Sequence, residues 1–287
     1  MEYEVSEVSH IHILDRTQEV AHSDVAYPFA LDELLGRQTG AGGPSVCHLW
    51  RHPRAFVIGT KDSRLTGAAE AVRWLKDRGY DVLVRNSGGA AVPLDLGVIN
   101  VSLIMPIDEK DTRGFHADFE RMYVMIRQAL AGHGYSIQRG EVVGSYCPGD
   151  YDLHIEGLKF CGIAQRRQVR AMIIQAFIIV EGSGAARAEL VKAFYDRAGV
   201  GADSGEYPQV EPHVMTSLQE RTSVRIGESG AFAGLLDSGA FTSAVIRTLQ
   251  EQQFTDSYAA NRTHRLILPE QAVIEDMCAK LRQRYLY

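Results

Sequence analysis

Residues 142–167 read VVGSYCPGDYDLHIEGLKFCGIAQRR, and the reading of this stretch organises the rest of the chain. Cys147 sits in a turn made of Gly144, Ser145, Pro148 and Gly149, and Lys159 follows twelve residues later between two apolar, strand-like pieces. A thiol in an irregular loop beside a fixed cation is how a protein makes a thiolate near neutral pH. The bland alternative is a cysteine packed as a small hydrophobe. It fits poorly here, because Gly, Ser, Pro, Gly and Asp surround the thiol and no apolar periodicity places it in a core. For Lys159 the bland reading is a solvated lysine at a strand end. The functional one is a cation that favours the thiolate or stabilises the oxyanion formed when sulfur attacks an acyl carbonyl. Cys161, inside FCGI, reads as packed, and Cys47 and Cys278 lie on strand and helix patterns. His154 reads as structural or surface, and no histidine is placed as a general base. Arg166 and Arg167 read as an exposed basic pair.

Outward from this stretch, strands are expected at 151–155 and 159–164 around a turn at Glu156 and Gly157, then at 172–180, with a helix at 186–197. Upstream, apolar positions Phe119, Met122, Tyr123, Ile126 and Leu130 share one face of a helix over 117–130. Before it, strands at 82–85 and 98–105 flank the loop RNSGGAAV of residues 85–92. Gly88 and Gly89 let a ligand approach the backbone closely, or simply make a tight connection. Neither a Walker GK[ST] nor a GxGxxG pattern is present. Asp95 and Asn100, taken singly, read as turn residues bonded to nearby backbone. Strands at 46–50 and 55–59 join through His52 and Pro53, and a helix over 67–78 closes at Gly79. A helix at 29–35 is expected to stop at Gly36. Beyond Gly199, helices are expected at 241–253 and 269–284. The pattern is α+β: a mixed or antiparallel sheet with flanking helices, and no strict βαβ alternation.

The domain reading is a catalytic domain over 40–235, an N-terminal arm and helix at 1–39 packing on it, and a helical tail at 236–287. With 287 residues, 45% apolar and 23% charged, the composition is that of a globular protein. A net charge of -6 argues against nucleic acid or an anionic membrane as the main partner. No apolar run approaches the roughly 18 residues needed to span a bilayer, and MEYEVSEVSH lacks the features of a signal peptide. A cytoplasmic protein with reduced thiols is expected. No close Cys or His pair suggests a metal.

RNSGGAAVPLD (85–95) followed by VINVS (98–102) resembles the lipoate-ligase pattern RRxSGGGAVxHDxGNLNxS, and YDLHIEGLKFCGIAQR (151–166) resembles the GKKIxGxAQR motif. These belong to the biotin/lipoate protein ligase catalytic-domain superfamily, and the likeness covers roughly residues 45 to 200. Three departures stand out: Ala90 replaces the third glycine, Leu94 the histidine, and Asn86 the second arginine. SYCPG (145–149) stands where the ATP-dependent ligases carry no nucleophilic cysteine. That combination is similar to the octanoyl-[glycine cleavage H protein]:protein N-octanoyltransferase branch.

The resemblance implies a class II synthetase-like fold with Cys147 as the acyl-thioester nucleophile and Lys159 polarising it and holding the acyl carbonyl. It also implies substrate contacts at Arg85, Ser87, Gly88, Gly89, Ala90, Asp95, Asn100 and Gly162. The implied donor is the octanoylated glycine cleavage H protein, and the acceptors are lipoyl domains of 2-oxoacid dehydrogenase E2 subunits. No ATP or metal cofactor is expected, the octanoyl or lipoyl group being substrate. The branch that loads from octanoyl-acyl carrier protein is disfavoured, since its first motif is closer to RRPTGGRGVLHD. An ATP-dependent ligase is disfavoured by Cys147 and Leu94, and a silent domain that only binds lipoyl-domain proteins is the reading from another class.

Overall fold

The computed structural model describes residues 11–20, 24–107, 114–168, 170–203, 205–222, 236–255 and 265–284. The first ten residues of the expected arm lie outside these. Its centre is an antiparallel pair, β6 (Val98–Pro106) and β10 (Ala171–Ile179), joined over nine residue pairs. On one side β10 carries β9 (Leu158–Gln168), β8 (Leu153–Ile155) and β7 (Ile137–Arg139). On the other, β6 carries β2 (Ser45–Trp50) and then β1 (Ile11–Asp15). A second sheet has the order β4 (Asp81–Val84), β3 (Arg54–Ile58), β5 (Val92–Asp95). Two pairs are parallel, β1 with β2 and β3 with β4. A parallel pair needs a crossover, and here helices supply it: α1 (Ala26–Gly40) and α2 (Ala68–Lys76). The architecture is mixed α+β, as expected.

Side chains alternate across a strand, so the large sheet serves two cores. Ile173, Phe177 and Ile179 of β10 face a core shared with α1, α2, α4 (Gly184–Ala198), the small sheet and α6 (Gln271–Gln283). Met172, Ile174, Ala176 and Ile178 face a core shared with α3 (Gly114–Ala129) and α5 (Ser238–Thr255). Burial on both faces is why this strand reads as a continuous apolar run. The two helices of the C-terminal stretch thus pack into different cores. Among the described residues no helix is long and apolar enough to cross a membrane.

One local expectation is corrected, and the structure adds detail at three other places. Gly36 does not stop α1, which runs on to Gly40; a Cβ at Gly36 would lie 2.5 Å from Gln168 Nε2 and 3.0 Å from Ile173 Cδ1. Its role is close packing of helix on sheet. The strands either side of His52 and Pro53 belong to different sheets rather than pairing with each other. β5 went unread because it is four residues long and holds Pro93, which fits a strand at the sheet edge. β7 is shorter still. The turn at Glu156 and Gly157 is as expected, with φ of 53° and 80°.

Candidate active site

The Cys147 loop hangs from one buried ion pair. Lys159, on β9, is fully buried, and its ammonium lies 2.8 Å from Asp152 Oδ2. It also donates to the carbonyls of Tyr146 at 2.8 Å and Cys147 at 2.7 Å, and to Ser145 Oγ at 3.3 Å. Asp152 in turn accepts from the Gly149 N–H at 3.2 Å and from Ser145 Oγ at 3.5 Å. Burial pushes the Asp152 carboxyl up to about 6, against the pull of the Lys159 charge. With these contacts the loop is clamped from inside, and Cys147 is held at φ 48°, in the left-handed region that costs a non-glycine residue energy.

That conformation turns the Cys147 sulfur toward the 85–92 loop. Arg85 Nη2 donates to Sγ at 3.1 Å and to the Ala90 carbonyl at 2.9 Å, and the Ala90 N–H points at Sγ at 3.3 Å. Gly89, at φ 97°, makes this approach possible, since a Cβ there would lie 2.3 Å from Arg85 Nη2 and 2.8 Å from the sulfur. A guanidinium N–H and a backbone N–H thus converge on the sulfur. The cation on the thiol is therefore Arg85, and Lys159 acts on the loop backbone instead. The sequence could not show this, because Arg85 and Cys147 are 62 residues apart.

Beside Arg85 opens a narrow cavity of about 20 Å³, lined by Phe29, Trp50, Val92, Leu94, Asn100 and Phe177 among others. Phe177 stacks on Tyr146, the neighbour of Cys147, with ring centroids 5.7 Å apart. Three donors of the lining, Arg85 Nε, Asn100 Nδ2 and Trp50 Nε1, are buried without partners. Gly162 serves this wall indirectly, because a Cβ there would lie 2.5 Å from the Phe177 ring.

The other expected residues divide. Ser87 is buried with its hydroxyl unpaired. A Cβ at Gly88 would meet nothing, so no close approach demands glycine there. Asp95 is taken up by Arg187, at 2.6 and 2.8 Å, and by the Gly97 N–H at 2.8 Å. It lines an outer groove, and its hydrogen bonds go to Arg187 and Gly97 rather than to the thiol or its loop. Asn86 and Arg166 meet Glu33, so Arg166 is no free basic group, and Arg167 pairs with Asp118. Cys161 is buried in the second core and its thiol is pushed well up by burial. Cys278, also buried, is pushed up to about 12, again chiefly by burial.

The model of the lipoyl protein ligase A/B catalytic domain matches residues 24–228 of this chain. An octanoyl-[GcvH]:protein N-octanoyltransferase of Geobacillus kaustophilus is 45% identical over 69% of this chain and 70% of its own length. A lipoyl-[GcvH]:protein N-lipoyltransferase of Listeria monocytogenes is 35% identical over 77% and 83%. Among solved structures, a lipoate-protein ligase A bound with ATP superposes with a TM-score of 0.63 at 18% identity, over 96% of this chain and 94% of that one. That likeness speaks for the fold.

Proposed function

This chain belongs to the lipoyl protein ligase A/B catalytic domain family, and we propose that it is an acyltransferase moving octanoyl groups from the lysine of octanoylated glycine cleavage H protein to lysines of E2 lipoyl domains. The observation that carries the reading is the pair of donors, Arg85 Nη2 and the Ala90 N–H, converging on Cys147 Sγ. Relatives that share the fold and up to 45% of the aligned residues bear the matching name.

In the first half-reaction the Cys147 thiolate attacks the carbonyl carbon of the octanoyl-lysine amide. Charge passes from sulfur to the carbonyl oxygen, and Arg85 and the Ala90 N–H stabilise it there. The C–N bond then breaks, the lysine amine leaves with the proton the thiol gave up, and an octanoyl thioester remains. In the second half-reaction an acceptor lysine attacks as the neutral amine, the C–S bond breaks, and the proton the amine loses goes to the departing sulfur, which restores the thiol. An amide is consumed and an amide is formed, so the exchange is close to isoenergetic and needs no ATP or metal. The thioester lies uphill of both and is sparsely populated.

The cavity beside Arg85 receives the acyl tail. Burying about seven apolar carbons is worth roughly 5 kcal/mol at ~0.8 kcal/mol each. At about 20 Å³ the cavity is narrower than such a chain, so entry displaces part of its aromatic lining. A reducing cytoplasm suits a free nucleophilic thiol. The Listeria relative's name supports testing a lipoyl cargo alongside octanoyl. The test supplies octanoylated H protein and an apo lipoyl domain without ATP. Transfer supports the reading, and transfer only from octanoyl-acyl carrier protein, or only with ATP, overturns it.

A further inference from the structure

One buried polar group lies beside the thiol without entering the chemistry above. Tyr195, on α4, is 2% exposed. Its hydroxyl accepts from the Ala91 N–H at 3.2 Å and donates to Asp62 Oδ1 at 3.0 Å. Asp62 is itself buried and accepts from the Gly59 N–H through Oδ2 at 2.8 Å. Gly59 lies so close to the 85–92 loop that a Cβ there would be 2.2 Å from the Gly89 carbonyl oxygen. Burial pushes both the Tyr195 phenol and the Asp62 carboxyl upward. The Ala91 N–H can only donate to the phenol oxygen, which leaves the phenol proton for Asp62.

The loop needs such an anchor. Gly88 stands in open space and Gly89 is at φ 97°, so neither residue's own preferences fix the peptide that follows. Two hydrogen bonds hold its far end, Arg85 to the Ala90 carbonyl and the Ala91 N–H to Tyr195. Both bonds hold the Ala90–Ala91 peptide, and the peptide just before it, Gly89–Ala90, carries the N–H that points at sulfur.

We infer that Tyr195, backed by Asp62, is a positioning residue for the reaction: it fixes the Ala91 amide and so aims the neighbouring Ala90 N–H at the Cys147 sulfur and at the oxyanion that forms there. It acts through the loop and touches no reacting atom. The inference rests on the proposed cysteine-based acyl transfer. A hydroxyl that merely satisfied a buried amide would matter to stability alone. One that aims a donor matters to the transition state.

The experiment compares Tyr195→Phe, Asp62→Asn and Tyr207→Leu in the full chain. Tyr207 stacks on the Tyr195 ring at 5.4 Å and makes no hydrogen bond to the loop, so it controls for packing. Two readouts are used: kcat and KM of octanoyl transfer, and the rate at which iodoacetamide alkylates Cys147 without substrate. Deleting an oxyanion donor outright costs on the order of 100-fold in kcat, so loosening one should cost about tenfold. Tyr195→Phe is expected to lower kcat by that factor, leave KM within about twofold, and slow alkylation. Asp62→Asn should follow in the same direction, and Tyr207→Leu should lower Tm with kcat unchanged. Wild-type kcat and alkylation rate in Tyr195→Phe, or an equal loss of kcat in Tyr207→Leu, overturns the inference. Slowed alkylation in Tyr195→Phe of a protein that transfers no octanoyl group would support the positioning role and sink the substrate reading.

Discussion

Lys159 shows how a functional-looking residue earns its place through the backbone. A buried ammonium is costly unless its protons are satisfied, and here Asp152, Ser145 and two carbonyls satisfy it. Those carbonyls belong to Tyr146 and to Cys147 itself, so the ion pair stabilises a positive φ that Cys147 would otherwise avoid. Lys159→Met leaves Asp152 buried and unpaired, and loss of one partner of a buried pair costs about 3–5 kcal/mol. Urea unfolding should show that loss together with loss of transfer. An unchanged midpoint would mean that the pair does not hold the loop.

At the scale of elements, α1 offers a contest between two effects of known sign. Gly36 lies inside the helix, where alanine is favoured by about 1 kcal/mol on propensity alone. The alanine Cβ would sit 2.5 Å from Gln168 Nε2 and 3.0 Å from Ile173 Cδ1, and overpacking of that kind costs about 1–3 kcal/mol. Gly36→Ala should therefore lower Tm; a rise would show that the helix–sheet gap is slack. The same residue explains one limit of reading the sequence. A glycine that ends a helix and one that lets a sheet approach look identical until the partner is known. Long elements with one environment were legible: β6 and β10 as apolar runs, α3 by its single apolar face. β5 was not, because its register depends on β3, 35 or more residues upstream. The site behaved likewise. That Cys147 sits in an irregular loop could be read from its local residues, whereas Arg85 as the partner of sulfur depends on a fold that joins distant segments.

Across the whole molecule, Glu33 ties several parts together. From α1 it meets Arg37 on its own helix, Arg166 on β9, Arg284 just beyond α6, and Asn86 at the start of the 85–92 loop. Burial raises its carboxyl, but Arg166, Arg37 and Arg284 outweigh that and hold it down to about 2 from 4.5. A carboxyl depressed in the folded state adds stability that is present above 4.5 and lost as pH falls toward 2. With the arginines partly exposed the contribution is on the order of 2 kcal/mol. Glu33→Gln should lose about that much at pH 7 and flatten acid unfolding between those values. An acid limb identical to wild type would contradict it.

Transfer between two partner proteins through one sulfur is open to one direct measurement. Octanoylated H protein and an apo lipoyl domain are incubated without ATP, with the wild-type chain or with Cys147→Ala, and octanoyl groups are followed by mass spectrometry on all three proteins. The prediction is that wild type moves octanoyl to the lipoyl domain and carries a sparse, hydroxylamine-sensitive octanoyl adduct on Cys147, and that Cys147→Ala does neither. Transfer by Cys147→Ala at the wild-type rate, or transfer by wild type only when ATP is added, would contradict it.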